Sequence, residues 1–240
     1  MRSTPMLEFI DRERPQYRAF AALSAGTIVL TGLLQYSDER IFQRVMGGIN
    51  PLVAALLVVI LGFVCLSWLH SRGGFAIYRK QNRKGLLRAC GLAALFGVII
   101  IPADLVIVFP ADINVPFPES LLFYPAIGFF AEILFHVLPL SLLLIVLSSV
   151  FRAANQNRII WFSVVAVALL EPVYQTLWMV SLDRYPVWAV AYDAIHVFAI
   201  NLLQLIIFRR YDFVSMVAFR LVYYLFWHIG WGYFRLSILF

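Results

Sequence analysis

Seven long apolar stretches punctuate this chain: Phe20 to Leu34, Pro51 to Leu69, Leu87 to Phe109, Leu121 to Phe151, Ile159 to Val180, Pro186 to Phe208 and Phe213 to Tyr233. A helix rising about 1.5 Å per residue crosses a hydrocarbon core of about 30 Å in roughly 20 residues, and most of the stretches approach or exceed that length. A backbone in lipid must satisfy its own hydrogen bonds, which leaves helices or a closed barrel. The alternating segments of roughly ten residues that build a barrel are absent. The expected fold is therefore all-α, a multi-pass transmembrane helical bundle of about seven spans. The fourth stretch is too long for an upright crossing, so it should tilt, kink near Pro125 or Pro139, or break in two to give eight.

Composition supports the same solvent. Only 13% of the residues are charged against 62% hydrophobic, where a soluble domain uses roughly 25% charged residues. The formal charge of +6 is carried by short loops with no basic-aromatic groove, so nucleic acid is excluded as a partner and membrane lipids are expected. Cys65 and Cys90 have neither disulfide nor metal-ligand spacing and read as small hydrophobes. No cofactor is expected.

Basic residues also suggest an orientation. Arg72, Arg79, Lys80, Arg83, Lys84 and Arg88 follow the second span without an acidic residue, Arg152 and Arg158 follow the fourth, and Arg209 and Arg210 the sixth. These alternate with a loop holding Asp112, Asn114 and Glu119 and with the Asp183-Arg184 turn. The positive-inside rule then places the amino terminus inside and the carboxyl terminus outside, in a bacterial cytoplasmic (inner) membrane given the compact loops. The opening residues are too charged for a cleavable signal, so 1–18 reads as a cytoplasmic or interfacial segment before an uncleaved first span. Residues 1–240 form a single membrane domain, with 121–233 as the functional core and few polar residues beyond Tyr233.

That core is defined by polar residues at membrane depth: Glu132, His136, Glu171, Gln175, Asp193, His196, Asn201, Arg220 and His228. A charge near the bilayer centre costs several kcal/mol, so each should face protein or a wet cavity and have a partner. Counting from span ends brings Glu132 and Glu171 near mid-depth with Arg220 within reach, and His136 or His196 beside them. Glu132 and His136, Glu171 and Gln175, and Arg220 and Tyr224 are each four apart and share a helix face. Two readings stay open at this point, an ion-pair network that holds the bundle and a catalytic or binding constellation. Asp104, just after Pro102, reads as a pocket-edge or helix-bend residue. A zinc site from two histidines and a carboxylate would have to span three helices, and no His-Glu-x-x-His motif is present.

The run Phe129-Phe130-Ala131-Glu132-Ile133-Leu134-Phe135-His136 resembles the first motif of the CAAX-protease and bacteriocin-processing intramembrane protease family, the Abi-type proteins. In that family a Glu-Glu pair is followed, after three intervening residues, by Arg, commonly with Phe before the Arg. Here Glu132 and Phe135 match, Ala131 stands where the first Glu would be, and His136 replaces Arg. The second motif falls on Glu171 and Gln175 and the third on Arg220 and Tyr224; a shifted register uses Tyr192 and His196, with His228 as the third histidine. The resemblance covers Leu121 to Trp231. It implies a water-activating Glu supported by histidines that cleaves peptide bonds in or beside the membrane, with Glu132, His136, Glu171, His196, Arg220 and His228 as candidate catalytic residues. Alanine in place of the first Glu removes a proton acceptor. The expectation is accordingly a diverged, noncatalytic binding, assembly or maturation factor with a polar intramembrane cavity and a membrane-protein or peptide partner. The alternatives are an active peptidase using Glu132 or Glu171 with His196 and His228, and a lipid or small-molecule carrier.

Overall fold

The computed structural model describes residues 5–37, 41–42, 47–152, 155–181, 183 and 185–240; residues 1–4 of the amino-terminal segment and Arg184 of the Asp183-Arg184 turn lie outside them. Among the described residues seven helices are long and apolar enough to cross a membrane, and the protein is an integral membrane helical bundle. They are α1 (Pro5–Ser37), α2 (Pro51–Ser71), α3 (Arg83–Ile107), α4 (Ser120–Val150), α5 (Gln156–Ser181), α6 (Val187–Arg210) and α7 (Phe213–Leu239). Helix α1 begins at Pro5, so most of the polar opening is helical and continuous with the first span.

Local chemistry sets the helix ends. Asn50 caps α2, its Oδ1 accepting from the backbone N–H of Leu52 at 3.0 Å and Val53 at 3.2 Å, with Pro51 as first helical residue. Asn155 caps α5 in the same way. Asp212 caps α7 by accepting from Ser215 N–H at 2.7 Å. Its second oxygen accepts from Arg79 N–H at 3.0 Å and from Asn82 Nδ2 at 3.1 Å, which ties the basic 72–82 loop to the start of α7.

The fourth span neither breaks nor needs a proline kink. It is one helix with a π turn over Glu132–Val137, in which Leu138 N–H reaches back five residues to Ile133 O. That wider turn ends two residues before Pro139, whose ring would otherwise collide with the carbonyl four residues back. Helix α5 is the one that yields. Pro172 removes an N–H and crowds Ala168 O, and the helix is interrupted at Leu169, placing Glu171 directly after the break. A second π turn, Leu225–Trp231, lies in α7.

Helix α7 is central, packed along α3, α4 and α6. On α3 the residues Gly85, Ala89, Ala93 and Gly97 recur every fourth position and are all buried. A Cβ on Gly97 would lie 2.6 Å from Phe226 Cβ, so the two helices approach as closely as they do because that position carries no side chain. Further along the same buried face, Ile100 and Asp104 continue the stripe.

Candidate functional site: a buried ion network under a polar cavity

Helices α4, α5, α6 and α7 bring Glu132, Glu171, Gln204 and Arg220 together in the bundle interior. Arg220 Nε donates to Glu132 Oε1 at 2.5 Å. Its Nη1 donates to Glu171 Oε1 at 3.2 Å and to Tyr224 Oη at 3.0 Å, and Nη2 to Glu171 Oε2 at 3.0 Å and to Gln204 Oε1 at 3.3 Å. A guanidinium offers five N–H donors, and each has a partner here. Gln204 Nε2 in turn donates to Glu132 Oε1. His136 Nδ1 lies 3.0 Å from Glu132 Oε2, while its Nε2 has no hydrogen-bond partner among the described residues. Glu132 and His136 are both fully buried. The π turn projects this pair inward from α4, consistent with the frequent placement of such turns at functional or strained positions.

Glu132, Glu171 and Arg220 thus meet, with His136 rather than His196 beside them. His196 sits elsewhere on α6, stacked on Tyr192 with 5.8 Å between centroids and 3.4 Å from Tyr223 Oη. His228 projects from the π turn of α7. Its Nδ1 is 2.6 Å from Asn114 Oδ1, and its ring stacks on Tyr124 at 4.5 Å. The two histidines of the shifted register therefore contact Tyr223 from separate positions. No group of three His, Cys, Asp or Glu side chains among the described residues is placed to hold a metal ion.

Beside the network lies a cavity of about 230 Å³, space for roughly seven waters at about 30 Å³ each. Glu171, Asn201, Gln204 and Arg220 form its buried end, and Tyr223, Tyr224 and Trp227 supply an aromatic wall. Gln175, Trp178 and Asp193, which keep some exposure, form the rim with His228 nearby. Glu132 is not part of the wall. Glu171 does reach the cavity, but Arg220 holds both its oxygens and Gln175 Nε2 approaches Oε1 at 3.4 Å. A water seeking a base there meets a carboxylate that already accepts three hydrogen bonds, two of them from a cation.

A second buried ion pair goes unread in the sequence. Arg235 is fully buried and grips Asp104 through two bonds, Nε to Oδ2 at 2.7 Å and Nη2 to Oδ1 at 2.9 Å. It also donates to Phe109 O at 2.6 Å and Pro110 O at 2.9 Å. Asp104 accepts further bonds from Trp231 Nε1 at 2.6 Å and Phe109 N–H at 3.0 Å. Asp104 is the anchor that locks the end of α7 onto the end of α3. Residues past Tyr233 are correspondingly part of the bundle. Gln204, the neutral bridge between the two arms of the network, also escapes sequence reasoning; its position three residues after Asn201 on α6 is the available signal.

Scans of the chain against protein-family models, curated proteins and solved structures each returned no match. Among the described residues the fold and the site define a class by themselves: a seven-span helical membrane protein with two buried ion networks and a polar, aromatic-walled cavity.

Proposed function

We propose that this chain is a noncatalytic, diverged relative of the CAAX-protease and bacteriocin-processing family, working as a binding, assembly or maturation factor through its intramembrane cavity. The observation that carries this reading is the complete engagement of Arg220 by Glu132, Glu171, Gln204 and Tyr224. The positions onto which the family's three motifs fall lie together in the bundle interior. They converge as an ion network, with arginine and alanine where a histidine and a water-activating carboxylate would be needed. A carboxylate held bidentately by guanidinium is poorly suited to take a proton from water. The neighbouring cavity favours a lipid or small-molecule ligand as the bound species.

The basic 72–82 loop, Arg152 and the Arg209-Arg210 pair share one end of the bundle by the alternation of the seven spans. This supports a cytoplasmic amino terminus in a bacterial inner membrane.

The test compares membrane peptides and lipids, by mass spectrometry, from cells making wild type or Glu171→Gln protein of equal abundance. The peptide pattern is expected to be unchanged, with any difference confined to lipids or co-purifying small molecules. Peptides that vanish with the Gln variant would establish the peptidase instead.

A further inference from the structure

The cavity specifies the charge of its ligand, an inference that rests on the reading of this chain as a binding protein. Asp193, half-buried at the rim, has no hydrogen bond or ion pair among the described residues. Asn201 lines the same cavity at 1% exposure with its amide nitrogen toward Glu171, and its Oδ1 meets no hydrogen-bond partner among the described residues. A buried amide oxygen left unpaired costs about 1–3 kcal/mol, so the site favours a molecule that supplies the missing bond.

An anionic ligand finds no free donor cation, because Arg220 is spent on Glu132, Glu171, Gln204 and Tyr224. It would also face Asp193. A purely apolar ligand would leave both Asp193 and Asn201 Oδ1 unpaired. A cation meets a carboxylate at Asp193, and the faces of Tyr223, Tyr224 and Trp227 add attraction of the cation-π kind.

We propose that the cavity binds a primary ammonium group, with Asp193 as its counter-ion. The depth of the rim points to the source. Asp193 lies six residues after Val187 and Trp178 three before Ser181, so both are within about 10 Å of the helix ends at about 1.5 Å per residue. That is the zone of lipid headgroups, where tryptophan is enriched. An aminophospholipid can place its amine in the cavity while its acyl chains stay in the bilayer. A free alkylamine offers the same ammonium chemistry.

The experiment is native mass spectrometry of the full-length protein released from nanodiscs of phosphatidylethanolamine and phosphatidylglycerol in equal amounts, repeated with ethylammonium in the buffer. Wild type is expected to retain phosphatidylethanolamine over phosphatidylglycerol. Asp193→Asn should weaken that retention by about tenfold, as loss of one charge-assisted hydrogen bond implies. Asp193→Ser, which also removes the carboxylate, should do the same and keeps the test open if the first variant does not fold. Retention of ethylammonium and not the lipid upholds the ammonium site and assigns it to a free amine. Equal retention of the two lipids by wild type, wild-type behaviour in both variants, or retention of neither lipid nor amine overturns the proposal. Peptide cleavage by the wild type is the separate result that would sink the parent reading.

Discussion

Replacing Arg220 by methionine keeps an unbranched apolar stem and deletes the guanidinium to which both network carboxylates are bonded. Glu132, at 0% exposure, loses the 2.5 Å bond to Nε, and Glu171, at 8%, loses both arms of its bidentate pair. Polar contacts between membrane helices average only about 0.6 kcal/mol, but that figure describes bonds whose loss leaves no charge behind. Removing one partner of a buried ion pair costs about 3–5 kcal/mol, and here two carboxylates are stranded at once, so the larger range governs. At about 2–4 °C per kcal/mol for a chain of this size, the melting midpoint in mild detergent should fall by roughly 6–20 °C when followed by tryptophan fluorescence. The triple variant Arg220→Met, Glu132→Gln, Glu171→Gln removes the stranded charges and should recover at least half of the loss. A single variant that melts within about 2 °C of wild type, less than 1 kcal/mol on the same scale, would refute the reasoning. So would a triple variant no more stable than the single one.

Further expectations come from other parts of the bundle. Arg235→Met should lower the same midpoint by less than Arg220→Met, because Asp104 keeps its bonds from Phe109 N–H and Trp231 Nε1. Gly97→Val should cost about 1–3 kcal/mol by overpacking the α3–α7 contact, whereas Gly91→Ala, with nothing within 4 Å of its added Cβ, should leave the midpoint unchanged or raise it; denaturation of the two variants side by side decides this. Labelling of intact cells with a membrane-impermeant thiol reagent should modify Asp112→Cys and spare Lys80→Cys, and the reverse pattern would invert the proposed orientation.

Much of this architecture is legible in the sequence because lipid enforces it. Apolar length alone sets the spans, and the cost of charge at depth forces Glu132, Glu171 and Arg220 to meet, so counting residues from the span ends suffices to bring them together. What escapes is anything decided by local backbone register. Pro125 and Pro139 look like the hinges of the longest span, yet Pro125 sits within a regular α-helical segment, a π turn precedes Pro139, and Pro172 interrupts α5. A π turn has no sequence signature comparable to a cap, and it determines which way Glu132, His136 and His228 point. Arg235 escapes for a different reason, its place near the chain end, where charge suggests solvent. The repeat of small residues from Gly85 to Gly97, carried forward to Asp104, marks a face that must pack on another helix, so an unpaired Asp104 there demands a cation on the partner.

The central claim is that Glu132 and Glu171 hold a cation in place and do not activate water. The most direct measurement reconstitutes the purified protein in proteoliposomes with a library of transmembrane and membrane-proximal peptides in water enriched in heavy oxygen, followed by mass spectrometry of every new carboxyl terminus. A hydrolase must place oxygen from water into the carboxylate it creates. With both carboxylates committed to Arg220, no heavy oxygen above the level of protein-free liposomes is expected. Labelled termini that appear with wild type and disappear with a folded Glu171→Gln variant would contradict the claim.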